Sequence, residues 1–298
     1  MNDMKRVLIT GANSYVGTNI ENWLKKTPEE FLVDTVDTFD DHWKKADFTK
    51  YDAVFHVAGI AHVDAKPSME PVYRKVNTDL TLEIARYAKA HGVKQFVFMS
   101  SMIVFHESKS LKPQVLTAES QPAPNGFYGD SKLQAEIGLR GLEDGSFRVA
   151  ILRPPMIYGP GSKGNFLRLC KLATVTPVFP ALHNKRSMLY IDNLAEFVKQ
   201  TITRELSGTF YPQDRELADT VEIAKTFAEM NDHKLFVWKW LNVFVYLGSP
   251  VVNALNKMFA TYYYDPAMSQ MDFDYQVVSQ EEAFKRMDIT DASLKHMK

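Results

Sequence analysis

The sequence holds a single cysteine, Cys170, among 298 residues. One cysteine excludes an intrachain disulfide and a cysteine metal cluster, and predicts a reducing compartment. Neither charge is in surplus: 35 Lys and Arg stand against 36 Asp and Glu, for a net charge of −1, with no basic block. That balance lacks the footprint of a general nucleic-acid binder, while leaving local phosphate sites open. Long hydrophobic runs are missing as well. The nearest, residues 235–247, is interrupted by Lys239 and Asn242 and falls short of the roughly 20 apolar residues of a spanning helix. Its Phe236, Val237, Trp238, Trp240, Leu241, Val243, Phe244, Val245 and Tyr246 form a wide apolar stripe, which reads as a helix docked on the core or at a subunit contact in preference to one lying on a membrane surface. The first six residues lead straight into a short apolar strand, without the long apolar region of a signal peptide, so a cytoplasmic setting is expected. No His and carboxylate cluster has metal spacing, no Gly-x-Ser-x-Gly nucleophile turn occurs, and no internal repeat is visible.

What is present is an ordinary globular composition, 45% apolar and 24% charged, long enough for one large core or two modest ones. Apolar strand patterns fall at residues 6–10, 31–36, 53–57, 95–100 and 149–153, with helical patterns between them at 16–26, 71–91 and 131–142. Such alternation predicts an α/β fold with a doubly wound parallel sheet. Only about sixteen residues separate the second strand from the third, so that crossover is expected to be abbreviated. After Gly161 the pattern loosens into loop, with a helix near 166–173. A further helix at 192–203 and a strand at 208–211 suggest that the chain leaves the sheet and returns.

Two motifs carry chemistry. Val7-Leu8-Ile9-Thr10-Gly11-Ala12-Asn13-Ser14-Tyr15-Val16-Gly17 is a strand entering a glycine turn, as a dinucleotide pyrophosphate needs: glycines let backbone N–H groups approach the anion, and the next helix aims its positive N-terminus at it. Tyr128-Gly129-Asp130-Ser131-Lys132 sets a phenol and an ammonium one helical turn apart on one face. Lys132 is therefore expected to lie against the Tyr128 hydroxyl and to lower its pKa from about 10. The pair would serve as a proton-transfer acid or base for moving a hydride at a sugar or alcohol carbon.

The glycine turn, His56-Val57-Ala58-Gly59, Asn77, Ser100-Ser101, Tyr128…Lys132 and Leu152-Arg153-Pro154-Pro155-Met156-Ile157-Tyr158-Gly159-Pro160 occur in the order of the extended short-chain dehydrogenase/reductases, which the chain resembles from about residue 4 to 215. Lys163-Gly164-Asn165-Phe166-Leu167-Arg168-Leu169 and Lys185-Arg186-Ser187-Met188-Leu189-Tyr190-Ile191 are similar to the bacterial UDP-sugar 4-ketoreductases, and among them to the capsular reductases of a UDP-2-acetamido-2,6-dideoxy-4-hexulose. The resemblance implies a Rossmann-type domain over 1–160 and 188–215, and a smaller nucleotide-sugar-binding region over 161–187 and 216–298. It implies an NAD or NADP cofactor held by Gly11, Asn13, Ser14, Tyr15, Val16, Gly17, Asp37, Asp47, Phe48, Ala58, Gly59, Asn77, Ser100, Tyr128, Lys132 and Pro154. Ser101, Tyr128 and Lys132 become the catalytic set, and Ser101, Tyr128, Asn165 and Arg186 the substrate contacts. Neither a metal nor an integral membrane association is implied. A homodimer through the helices holding Tyr128 and residues 71–91 is.

Two residues depart from or refine that pattern. Ser14 replaces the middle family glycine, and its Cβ is expected to narrow the pyrophosphate cradle. Asp37 would bond the adenosine ribose and repel a 2′-phosphate, favouring NAD over NADP, although Asp40 and Asp41 follow closely. Asp47-Phe48 matches the family's adenine clasp, His56 is expected to brace the strand end, and His106 to be solvated. Met102 and Ile103 follow Ser101 where 4,6-dehydratases carry an Asp-Glu pair. Neither moves a proton, which disfavours dehydration. The reading is reduction of a UDP-4-keto-6-deoxy-N-acetylhexosamine at C4. The alternatives are a UDP-glucose or UDP-N-acetylglucosamine 4-epimerase with bound NAD and, from another class, a non-catalytic cofactor-binding regulator. Such regulators usually lose the tyrosine or lysine that this chain keeps.

Overall fold

Central strands buried on both faces need near-continuous apolar sequence, and β3 (Ala53–His56) and β4 (Gln95–Met99) are buried at every residue. The structure is a computed structural model that describes residues 4–39, 41–61, 67–107 and 110–287. Asp40 and the last eleven residues of the expected C-terminal region lie outside the described residues. In chain order the first half comprises β1 (Lys5–Thr10), α1 (Tyr15–Leu24), β2 (Phe31–Val36), β3, α2 (Glu70–Tyr73), α3 (Leu80–Ala90), β4, β5 (Gln114–Leu116), α4 (Phe127–Arg140) and β6 (Arg148–Leu152). There follow β7 (Met156–Tyr158), α5 (Asn165–Val175), β8 (Val178–Pro180), β9 (Met188–Tyr190), α6 (Ile191–Thr203), β10 (Gly208–Phe210), α7 (Thr220–Met230), β11 (Phe236–Trp238), α8 (Asn242–Gly248), α9 (Asn253–Phe259), β12 (Tyr262–Tyr264) and α10 (Gln280–Lys285).

Six strands form a parallel sheet in the order β10-β6-β4-β3-β1-β2. Alternate residues feed opposite cores: Val7, Ile9, Phe55 and Val97 pack on one face, Leu8, Val54, Phe96 and Phe98 on the other. This is the expected doubly wound α/β sheet of Rossmann type. β10 is the returning strand, paired parallel to β6. The abbreviated crossover is two short 3₁₀ turns, Asp41–Lys45 and Phe48–Lys50. Strand order reverses at β1, flanked by β2 and β3, and a reversal of this kind opens a crevice beyond the carboxyl ends of the strands.

Outside the sheet the chain forms two-stranded parallel pairs: β7 with β9, β8 with β11, and β5 with β12. Two expectations change. The single helix over 71–91 is α2 and α3 joined by a π-helical segment, Arg74–Asp79. The stripe at 235–247 is not one helix, and it meets the main core through Leu235, Val237 and Val245. It is β11, a 3₁₀ turn Lys239–Leu241 and α8, whose only buried residue is Val245. Phe236 and Trp238 are exposed on either side of the half-buried Val237, a period-two pattern that belongs to a strand.

Candidate active site

Four loops at the carboxyl edge of the sheet enclose a cleft of about 300 Å³, lined by Ser14, Tyr15 and Val16 after β1, Val57 and Gly59–Ala61 after β3, Met99–Ser101 at β4, Tyr128 and Lys132 on α4, and Pro154, Pro155 and Ile157 after β6. Close backbone approach dictates the first loop. Gly11 has φ +111°, and a Cβ there would stand 2.8 Å from the Ala58 nitrogen, so glycine is required at this turn. A Cβ on Gly17 would stand 2.6 Å from the Ser14 Oγ. Asn13 takes the left-handed conformation at φ 64°, which Asn tolerates better than most residues. Ser14 is the correction: its backbone is ordinary extended chain, and its Oγ accepts from the Gly17 N–H at 3.0 Å as the N-cap of α1. The serine therefore strengthens the helix start, and no glycine is needed there. The Gly11 and Ala12 N–H groups donate to the Val36 carbonyl, which sets the exposed Asp37 beside this turn. Its Oδ1 accepts from the Phe39 N–H.

The loop after β3 is clamped from behind. Asn77 Oδ1 accepts from Ile60 N–H at 2.8 Å, while its Nδ2 donates to the Ile60 carbonyl and to Ser131 Oγ. Asn77 is fully buried and acts on the loop through the backbone. A Cβ on Gly59 would lie 2.9 Å from Asn77 Oδ1 and 3.2 Å from Lys132 Nζ. His56 is wholly buried between Thr10 Oγ1, 2.6 Å from Nδ1, and Thr81 Oγ1, 2.9 Å from Nε2. Burial pushes its pKa down to about 3, so the ring is neutral and braces the strand end. His106 is exposed.

Ser101, Tyr128 and Lys132 meet in the cleft, but not in the expected electrostatic state. Burial pushes the Tyr128 phenol up to about 12, against the opposing pull of its hydrogen bond with Ser101. The Lys132 ammonium donates to the Met99 carbonyl at 2.9 Å and sits over the Phe98 ring. Burial brings its pKa down to about 8 despite the attraction of Glu136. The helix face does bring the two residues to one cleft, yet desolvation is the largest influence on each, and Tyr128 holds its proton at neutral pH.

Sequence reasoning missed the layer beneath. Ser100 Oγ donates to Glu136 Oε1 at 2.5 Å, and Arg153 grips the same carboxylate through Nε at 3.0 Å and an Nη at 2.5 Å. Arg140 adds a bond at 3.0 Å. Glu136 is fully buried and Arg153 nearly so, with the guanidinium over the rings of Phe105 and Tyr211. The signal was available: Glu136 follows Lys132 by one further helical turn, on the face that carries Tyr128. Pro154, next to Arg153, lines the cleft.

Other expected residues stand apart. The Phe48 ring is fully buried against Trp43, Tyr51 and Tyr87, and Asp47 caps its 3₁₀ turn through Thr49. The Phe48 ring is thus part of the core. Neither Asn165 nor Arg186 lines the cleft. Asn165 is exposed at the start of α5, and Arg186 donates to the Ala260 carbonyl and to Glu107 Oε1 at 3.4 Å.

A glycine-turned Rossmann crevice with a Ser, Tyr and Lys set at its floor defines an oxidoreductase-type nucleotide site. Residues 7–211 match the NAD dependent epimerase/dehydratase family, and the chain belongs to it, among enzymes that act on nucleotide sugars. It is 32% identical to UDP-glucose 4-epimerase of Vibrio cholerae over 247 residues, 75% of each chain. It is 30% identical to the N-acetyl-alpha-D-glucosaminyl-diphospho-ditrans,octacis-undecaprenol 4-epimerase of Escherichia coli O157:H7, over 70% of this chain and 66% of that one. UDP-glucuronic acid 4-epimerase from Bacillus cereus, solved in complex with NAD, superposes with a TM-score of 0.72 at 17% identity, covering 98% of this chain and all of that one.

Proposed function

We propose that this protein reduces the 4-keto group of a UDP-linked 6-deoxy-N-acetylhexosamine for surface-polysaccharide synthesis, working in the cytoplasm as a homodimer. The observation that carries the reading is the placement of Ser101, Tyr128 and Lys132 together in the cleft, where burial pushes the phenol up and keeps its proton on at neutral pH. A ketone becoming an alcohol needs a proton donor at its oxygen, and a positioned acid of this kind is worth about 10²–10⁴-fold in rate. Gly11 and Gly59 let the loops after β1 and β3 pack closely at the start of α1, where a dinucleotide diphosphate would lie, with Asp37 at the adenosine ribose, favouring NAD over NADP. When bound, the reduced nicotinamide supplies the hydride. Tyr128 gives its proton to O4, Ser101 orients that oxygen, and the charged Lys132 stabilises the phenolate left behind until solvent returns the proton. Met102 and Ile103 supply no second acid or base. Residues 1–160 and 188–215 would hold the cofactor, and 161–187 and 216–298, with Asn165 and Arg186 near the diphosphate, the sugar nucleotide.

Both curated relatives named above favour a second reading, 4-epimerisation, which would keep NAD bound, and a Ser14 that caps α1 is compatible with it. Their two carriers share a hexosyl diphosphate. Purified protein is to be incubated with a UDP-4-keto-6-deoxy-N-acetylhexosamine and NADH or NADPH, and separately with UDP-hexoses and undecaprenyl-diphospho-N-acetylglucosamine without reductant. Stoichiometric cofactor oxidation supports reduction, and interconversion of C4 epimers without reductant transfers the assignment to the epimerase.

A further inference from the structure

From β11 into α8 the chain exposes a continuous row of rings. Phe236, Trp238, Trp240 and Phe244 are 54%, 44%, 57% and 60% exposed, and successive ring centroids lie 6.4, 6.0 and 5.7 Å apart. Leu247 and Val251 prolong the row at 72% and 83% exposure. Contiguous exposed apolar surface of this kind marks a contact site. Its charge identifies the partner. Residues 233–264 contain Lys234, Lys239 and Lys257 and no Asp or Glu, in a chain with roughly one acid in every eight residues. Lys239 is exposed between the two tryptophans, in the middle of the row. Lysine is depleted from protein–protein interfaces, whereas a lysine flanked by indoles suits the headgroup level of a bilayer, where Trp and Tyr concentrate and basic side chains meet anionic lipid. No helix among the described residues is long and apolar enough to cross a membrane, so the row would lie on the surface.

We infer that the aromatic row of β11 and α8 is a docking surface for an anionic lipid bilayer. The surface is carried by the lobe that holds Arg186: Asn242 at the start of α8 donates to the Ala181 carbonyl, and Arg186, five residues on, donates to the Ala260 carbonyl just past α9. Docking therefore brings the sugar-binding lobe to the membrane face. The inference is independent of the chemistry at C4, because vesicle binding is read without turnover.

The experiment is co-sedimentation of the full chain with phosphatidylethanolamine–phosphatidylglycerol vesicles and with phosphatidylcholine vesicles, following tryptophan emission. The wild type is expected to sediment with the anionic vesicles, with emission moving to shorter wavelength, and to stay largely free of the neutral ones. The double variant Trp240→Ser, Phe244→Ser should bind at least tenfold less while its NADH binding and circular dichroism stay unchanged. Lys239→Glu, a surface change that tests the charge alone should the double variant fail to fold, should weaken anionic binding and leave the emission without vesicles as it was. Wild type remaining in the supernatant with anionic vesicles, or both variants binding like wild type, overturns the inference. So does a self-associating wild type that the double variant makes monomeric with no vesicle binding in either, which assigns the row to a second copy of the chain.

Discussion

The sheet half of this molecule hides its apolar residues on two faces: β1, β3, β4 and β6 send alternate side chains into separate cores, and two of the charged groups taken inside, Glu136 and Arg153, are bonded to each other. The lobe of β8, β11, α8 and α9 leaves a row of aromatic side chains in solvent. Strands in the first are locked by five parallel pairings in one sheet, while β8 and β11 have only one another. The difference separates a frame, which would position the proposed proton donor, from the proposed contact surface, which needs exposure to work. In the frame a residue is legible through its period. On the surface the same composition reads as core unless its exposure is known.

Substitutions can sharpen that contrast, beginning at the cleft. Tyr128→Phe retains the ring and removes the proton, so kcat should fall by roughly 10²–10⁴-fold with cofactor binding preserved, as turnover assays and a fluorescence titration with NADH would show. Near-normal turnover would break the assignment of the acid. Beneath it, Glu136→Ala leaves Arg153 charged and unpaired in the interior, which typically costs about 3–5 kcal/mol. Urea unfolding should show a loss of that size, against changes within about 0.5 kcal/mol for exposed Phe244→Ser, since surface substitutions away from caps and networks usually stay in that range.

Titration offers a second contrast, because His56 and Lys132, two of the pKa-shifted groups, belong to the frame. His56 ionises near 6.5 when unfolded and about 3 when folded. The unfolded chain thus takes up a proton that the folded one refuses, and stability should fall as pH drops from about 6.5 toward 3. Lys132, with a folded pKa of about 8 against 10.5, makes stability rise as pH climbs between those values. By the same reasoning Lys132→Met should abolish turnover yet raise the unfolding midpoint at pH 7. Amide protection factors around β3 and β4, corrected for the intrinsic exchange rate, that rise between pH 4 and 6 would support the His56 assignment, and unchanged protection factors would count against it. Smallest of all, Asp37→Ala should narrow a preference for NAD over NADP, measured as a ratio of dissociation constants, because it removes a carboxylate from the turn beside β2. An unaltered ratio would mean that Asp37 does not meet the ribose.

Much of the frame could be read from the chain alone. The strands at 31–36 and 53–57, the shortened crossover before β3 and the returning strand at 208–211 follow from short apolar runs and segment length. Gly11 and Gly17 are dictated by close approach, and Tyr128 with Lys132 by helical spacing. The rest depends on neighbours distant in sequence. Burial, which no local spacing reports, decides the state of Tyr128 and of Lys132. Ser14 reads as a missing glycine until the cap it makes on α1 is seen. Glu136 and Arg153 meet across seventeen residues, on a helix and a strand end, and Phe48 turns out to pack under Tyr87. At 235–247 an aromatic strand followed by a short helix carries the composition of one buried helix.

The claim that Tyr128 delivers a proton to an oxygen that has just received a hydride at C4 is tested most directly with a deuterated reductant. Wild-type protein is mixed with a UDP-4-keto-6-deoxy-N-acetylhexosamine and NADH deuterated at nicotinamide C4, in each configuration in turn. Mass and proton spectra should show one deuterium at sugar C4 from one of the two cofactors, with one NADH oxidised per product and none of this in Tyr128→Phe. C4 epimers interconverting without added reductant, with no deuterium entering the sugar, would contradict the account.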